Sequence, residues 1–192
     1  EKALHHVSRL SDRARKIGSI NAMRRDGDGG WTGDMFDGIG LLRAVQERTT
    51  VSDARVLLVG AGGAGSAIGF AFAEAGASSI TIHDLDPARA ESLAQRIRKA
   101  YPGCRAQASR DTRAAGNTII INATPVGILP DDRRLPADFG PLSPEMTVVD
   151  IVPSPNKTAL LVKAGEAGAL QIAGSAMTNG QAAAILEFFG IV

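Results

Sequence analysis

The chain has 192 residues, 44% hydrophobic and 21% charged, an ordinary balance for a globular protein with one full domain and some excess. Lys+Arg 21 against Asp+Glu 20 leaves a formal net charge of +1 without a basic block, so nucleic acid has no electrostatic case, and no run of about 18 apolar residues is present to span a membrane. The single cysteine, Cys104, excludes an intramolecular disulfide and a thiolate metal cluster and fits a reducing cytoplasm.

In chain order, EKALHHVSRLSDRARKIG lacks the apolar core of a secretory signal. Leu4, Val7, Leu10, Ala14 and Ile17 recur at helical spacing and predict an amphipathic helix over about 1–17. A chain opening inside a helix reads as truncated. GSINAMRRDGDGGWTGD alternates around a Gly-rich run and predicts a β-hairpin. Asp26 and Asp28 superficially fit a calcium loop, but the later oxygen ligands and the closing glutamate are absent, so the run reads as a turn with no metal. A helix is predicted over 37–47. Just before it, GDMFDG holds two large apolar residues, Met35 and Phe36, between Asp34 and Asp37. Either an apolar wall flanks a catalytic carboxylate there, or the run is only a helix entry.

From residue 54 the pattern changes. ARVLLVGA is a continuous apolar strand of the buried parallel type, followed by a small-residue helix ending at Gly76. SSITIHD is a second strand, and DPARAESLAQRIRKAY a helix with Asp86 as N-cap and Pro87 at its first position. QAS, NTIIINAT, EMTVVDIV and ALQIAG complete six strands. Helices over NKTALLVKAGEAG and SAMTNGQAAAILEFFG complete the alternation. Strand–helix alternation predicts an α/β fold, a Rossmann doubly wound parallel sheet, with its ligand at the carboxyl ends of the strands.

VGAGGAGSA sits between the first strand of that unit and its helix and contains Gly60-x-Gly62-x-x-Gly65, with Gly63 inside it. In this context the string is a dinucleotide fingerprint: a tight turn, a backbone that pyrophosphate can approach, and a helix N-terminus offering unpaired N–H groups. Asp84 ends the second strand about 20 residues on, where a carboxylate accepts from ribose hydroxyls and repels a 2′-phosphate. NAD is therefore expected over NADP. The plainer alternatives are a tight strand–helix turn and a helix-capping or solvated Asp84. His83 reads as a surface or adenine-edge residue.

Five ordered stretches are similar to the shikimate/quinate dehydrogenase family: GSINAM (18–23), TGDMFDG (32–38), INATPVG (121–127), DIVPSPNKTALLVKAGEAG (150–168) and GSAMTNGQAAAILEFFG (174–190). They span nearly the whole chain. The resemblance implies two α/β domains and reversible hydride transfer between a nicotinamide and a ring hydroxyl of an alicyclic hydroxy acid. It implies Asp37 as the catalytic aspartate that holds a proton-exchanging lysine, and Asn21 and Gln181 as substrate-binding amides. Asp34 is then structural or solvated. The cofactor-binding set it implies is Gly60, Ala61, Gly62, Gly63, Ala64, Gly65, Asp84, Leu85, Asn122, Thr124, Ile151, Gly174 and Met177. Without the resemblance, Asp37 is a helix N-cap, Asn21 a turn residue, Gln181 a polar helix position and Met177 a core residue.

The departures bear on substrate. The family lysine falls at or just before residue 1, and Lys2 is two positions too late to replace it. Met35 and Phe36 replace a polar Asn-Thr pair, and Pro153 stands where a tyrosine is expected. An unpaired buried hydroxyl costs roughly 1–3 kcal/mol, so a less hydroxylated or differently substituted ring acid than shikimate is expected. Residues 1–36 are expected to be the remnant of a substrate domain, 37–174 the NAD-binding Rossmann domain and 175–192 a helix returning to the substrate domain. The apolar IL and FF pairs of that helix can cover the core or a partner, so a homodimer is compatible. Two other classes stay open: a non-catalytic NAD-binding sensor, and a Rossmann dehydrogenase for an unrelated folate or acyl substrate. The trio Asn21, Asp37 and Gln181 argues against the last.

Overall fold

The computed structural model describes residues 2–155 and 157–191. Its larger sheet has six parallel strands: β4 (Arg55–Val59), β5 (Ser79–His83), β6 (Arg105–Ala108), β7 (Ile119–Asn122), β8 (Thr147–Asp150) and β9 (Leu170–Ala173), in spatial order β6-β5-β4-β7-β8-β9. The order reverses between β4 and β7, which opens a crevice at their carboxyl ends.

The apolar runs explain the burial. In β4, Val56 and Leu58 face the main core while Leu57 and Val59 face a second core on the other side of the sheet. A strand covered on both faces has no polar side to show, hence the unbroken hydrophobic string. The main core holds helices α2 (Asp37–Gln46), α3 (Gly63–Glu74) and α4 (Pro87–Ala100). The second core holds α5 (Ala159–Glu166) and the fully buried Phe139. Asp86 caps α4, its carboxylate accepting from the Ala88 N–H at 2.9 Å, with Pro87 at the first helical position as expected.

The smaller sheet is three-stranded, in order β1-β3-β2, formed by β1 (Arg9–Leu10), β2 (Ala22–Arg25) and β3 (Trp31–Asp34). The hairpin β2–β3 is antiparallel as predicted, and the turn acids Asp26 and Asp28 accept from the Arg9 guanidinium. The helix expected over 1–17 is not continuous. A 3-10 turn over Lys2–His6 gives way to β1, which runs parallel to β3, and only Asp12–Ile17 forms an α-helix, α1. The break has a local cause. Ser11 caps α1, its hydroxyl accepting from the Ala14 N–H at 3.0 Å, and Arg9 is drawn to the hairpin acids. Leu4, Val7 and Leu10 still pack against the core, so helical spacing was satisfied by a different path.

α5 begins at Ala159, capped by Thr158, rather than at 156, a position outside the described residues. The last helix, α6 (Gly174–Phe188), crosses back to the smaller sheet, where the Arg24 guanidinium donates to the Phe188 carbonyl at 2.6 Å and lies over its ring. Among the described residues no helix is long and apolar enough to cross a membrane.

Candidate active site

The glycine loop folds as its spacing requires. Gly60 has φ +104°, and a Cβ there would lie 2.7 Å from the Ala123 carbonyl oxygen. A Cβ on Gly65 would lie 2.0 Å from the Gly60 oxygen, so only glycine lets the helix pack on the turn. Gly62 meets nothing within 4 Å, leaving its backbone open to a ligand. The N-terminus of α3 adds N–H groups without side-chain caps.

The Asp84 carboxylate accepts from the Ala61 N–H at 2.8 Å and from the Asp86 N–H at 2.9 Å, tying the loop to the end of β5. It does not cap α4; Asp86 does. A carboxylate has about four acceptor positions, so two stay open. Leu85 is exposed beside it, and His83 Nδ1 donates to the Ser109 carbonyl at 3.1 Å.

Asn21, Asp37 and Gln181 come together at one point. Asn21 Nδ2 donates to Asp37 Oδ1 at 2.7 Å and to Gln181 Oε1 at 3.0 Å, while Asn21 Oδ1 accepts from the Phe36 N–H at 3.0 Å. Three elements far apart in sequence make this contact, and glycines make it feasible. A Cβ on Gly40 of α2 would meet the Met177 carbonyl oxygen at 2.5 Å, and one on Gly180 of α6 would meet the Gly40 oxygen at 2.2 Å. The two backbones therefore touch, and Gln181 projects beside Asp37. Burial raises the Asp37 carboxyl above its ordinary range, opposed by hydrogen bonds from Asn21 and then Gln181.

Asp37 is the first residue of α2, and Phe36 holds the N-cap position without a side-chain cap bond, so the N-cap alternative for Asp37 fails. Met35 and Phe36 are each 2% exposed; Met35 also lines a cavity beside Ile17, Ile39 and Phe70. Phe36 packs on Phe188 and under the Arg13 guanidinium. Asp34 is structural: it accepts from Ser11, from the Met35 N–H at 2.7 Å and from Arg13 at 2.7 Å.

On the other wall of the crevice, Asn122 is fully buried and Thr124 follows it at the end of β7. Ile151 follows β8, and Gly174 starts α6 against the carbonyl oxygens of Ile151 and Val152, where a Cβ would come within 2.5 and 2.3 Å. Met177 lies in the main core at 9% exposure. Asp150, which was not among the candidate residues, proves to be the buried carboxylate behind this wall. Its signal was available: it ends an apolar strand, TVVD, as Asp84 ends SITIHD.

Residues 43–129 match the family model for shikimate/quinate 5-dehydrogenase. The shikimate dehydrogenase (NADP(+)) of Methanothermobacter thermautotrophicus is 36% identical over 92% of this chain, which spans 64% of that protein. The structure of shikimate 5-dehydrogenase from Listeria monocytogenes in complex with shikimate and NAD is 31% identical, with a TM-score of 0.85 over 99% of this chain and 69% of that one. The chain belongs to the shikimate/quinate dehydrogenase family. A ligand-free 5-ketofructose reductase of Gluconobacter sp. strain CHM43 is also similar, at 32% identity and TM-score 0.84, over 97% of this chain and 68% of that one. Family membership accounts for the common Rossmann frame; the three relatives differ in the cofactor or substrate their names carry.

Proposed function

We propose that the protein is an NAD-dependent oxidoreductase that transfers a hydride between NAD and a ring hydroxyl or ketone of an alicyclic hydroxy acid, with a substrate pocket diverged from that of shikimate. The observation that carries this reading is the hydrogen-bonded trio Asn21, Asp37 and Gln181. An amide both donates and accepts, so Asn21 and Gln181 suit vicinal hydroxyls, while Asp37 supports the group that exchanges the hydroxyl proton. NAD supplies the hydride acceptor when bound. Gly60 to Gly65 fit its pyrophosphate, and Asp84 fits its adenosine ribose and disfavours a 2′-phosphate. Asn122, Thr124, Ile151, Gly174 and Met177 border its nicotinamide end. Residues 1–36 and 175–192 then belong with the substrate and 37–174 with the cofactor.

A second substrate class is favoured by one finding, the similarity to a 5-ketofructose reductase. A polyhydroxylated ketone would use the same amides. The deciding experiment is NADH formation by the full-length protein with a panel of alicyclic hydroxy acids and NADH consumption with polyhydroxy ketones, NAD(H) and NADP(H) run side by side. Turnover with NAD preferred supports the reading. NAD binding without turnover of any member would replace it with the sensor or with an unrelated substrate, and a preference for NADP would overturn the role of Asp84.

A further inference from the structure

Behind the crevice, at the carboxyl end of β8, Asp150 is 1% exposed and accepts three hydrogen bonds. Its Oδ1 accepts from Asn122 Nδ2 at 2.9 Å and from the Val152 N–H at 3.1 Å, and its Oδ2 accepts from the Thr158 hydroxyl at 2.6 Å. The pattern continues outward in both directions. Thr158 Oγ1 also accepts from the Leu161 N–H at 3.4 Å, so it donates to Asp150 on one side and caps α5 on the other. Asn122, with its amide nitrogen committed to Asp150 and to the Val126 carbonyl, turns its oxygen to the Thr124 N–H at 2.9 Å and the Thr124 hydroxyl at 2.7 Å. Asp150 thus joins a continuous run of hydrogen bonds from α5 to Thr124, in which the Val126 carbonyl and the Thr124 N–H orient the Asn122 amide in the same sense.

The two segments it holds are the walls of the crevice. Residues 123–124 lie on the glycine turn, the Ala123 oxygen and the Thr124 methyl being what a Cβ on Gly60 would strike at 2.7 and 3.1 Å. Residues 151–152 receive the start of α6. Asp150 itself does not reach the crevice.

We propose that Asp150 is a positioning residue: its carboxyl group, by accepting from Asn122, Val152 and Thr158, places both loops that wall the nicotinamide end of the cofactor crevice. The proposal rests on the NAD reading above. An asparagine at 150 keeps the shape and an oxygen for Asn122 and Val152, but its amide nitrogen faces Thr158, whose hydroxyl must turn to accept, and the charge behind all three bonds is gone. A charge-assisted hydrogen bond lost on this wall weakens what the wall touches, the nicotinamide, and spares the adenosine half of the cofactor.

The test compares NADH with ADP-ribose, which lacks only the nicotinamide, by calorimetry on the full chain and on its Asp150→Asn variant. The wild type is expected to bind NADH more tightly than ADP-ribose. In Asp150→Asn that advantage shrinks about tenfold while ADP-ribose affinity stays within about twofold. If both ligands weaken together, or the advantage persists, Asp150 is merely structural and the proposal falls. Should Asp150→Asn not fold, Thr158→Val, which removes one donor and keeps the volume, decides: a selective loss of about threefold for NADH supports the proposal and a uniform loss or none overturns it. Failure of the NAD reading looks different. A wild type that binds neither ligand refutes that reading, whereas one that binds both equally has no nicotinamide contact to lose and overturns the proposal.

Discussion

Asp37 carries two opposed demands at the residue scale. The proposed role needs it within reach of substrate, yet burial raises its carboxyl above the ordinary range in spite of the bonds from Asn21 and Gln181. The folded state then binds its proton more tightly than the unfolded chain does. By linkage, stability is lost as pH rises from the unfolded carboxyl value through the folded one, and stays lower above it. Asp37→Asn removes that titration. Melting temperature measured from acid to neutral pH should therefore decline less in the variant than in the wild type, whereas turnover should fall about 100-fold, the usual scale for a lost proton-transfer group. An unchanged pH slope would show that Asp37 is not perturbed, and unchanged turnover would remove it from the site. The neighbouring Asp34 has the same side chain and a different fate: Ser11, Arg13 and its own chain consume it, so it serves the fold.

At the scale of elements, the decisive packing is α2 against α6. Helix axes usually keep side chains between them, but here Gly40 and Gly180 put backbone on backbone, and Gln181 reaches Asn21 only because of it. Gly40→Ala must push the helices apart, since its Cβ would stand 2.5 Å from the Met177 oxygen. A loss of about 1–3 kcal/mol in denaturant unfolding is expected, together with a fall in activity. Gly103→Ala, where a Cβ meets nothing within 4 Å, is the control and should stay within about 0.5 kcal/mol of wild type. Equal effects at both positions would refute the close crossing. The glycines of α2 and α6 were visible in the sequence, but a glycine in a helix does not say which helix it faces. The glycines of the turn at Gly60–Gly65 were legible because the elements that flank them are adjacent in the chain.

Across the whole molecule, α6 is the return path that links the large sheet to the small one, and Arg24 fastens its far end. The guanidinium satisfies a carbonyl in the last turn of the helix and interacts favourably with the negative end of its dipole. Arg24→Ala should leave β4 and β7 fully protected while amide exchange in the last turn of α6 speeds up about tenfold, the loss of one charge-assisted bond. Uniform acceleration over both sheets would mean that Arg24 holds the global fold rather than the end of one helix.

The sequence by itself determined the six-stranded parallel sheet, the helices on its faces, the glycine loop and the acid at the end of β5. Each of these is written in a window of a few to about 20 residues, where apolar period, caps and turn sterics act between near neighbours. The helix expected over 1–17 failed on the same terms, because β1 is a strand only through its pairing with β3, more than 20 residues away. Tertiary structure alone decided that Met35 and Phe36 point into the core and that Gln181 meets Asn21 across 160 positions. It also decided that Asp150 stands behind Asn122. Those outcomes depend on which surfaces meet when chain segments pack. The chemistry of a buried hydrogen bond is set by the partner that packing delivers, however far away that partner lies in the sequence.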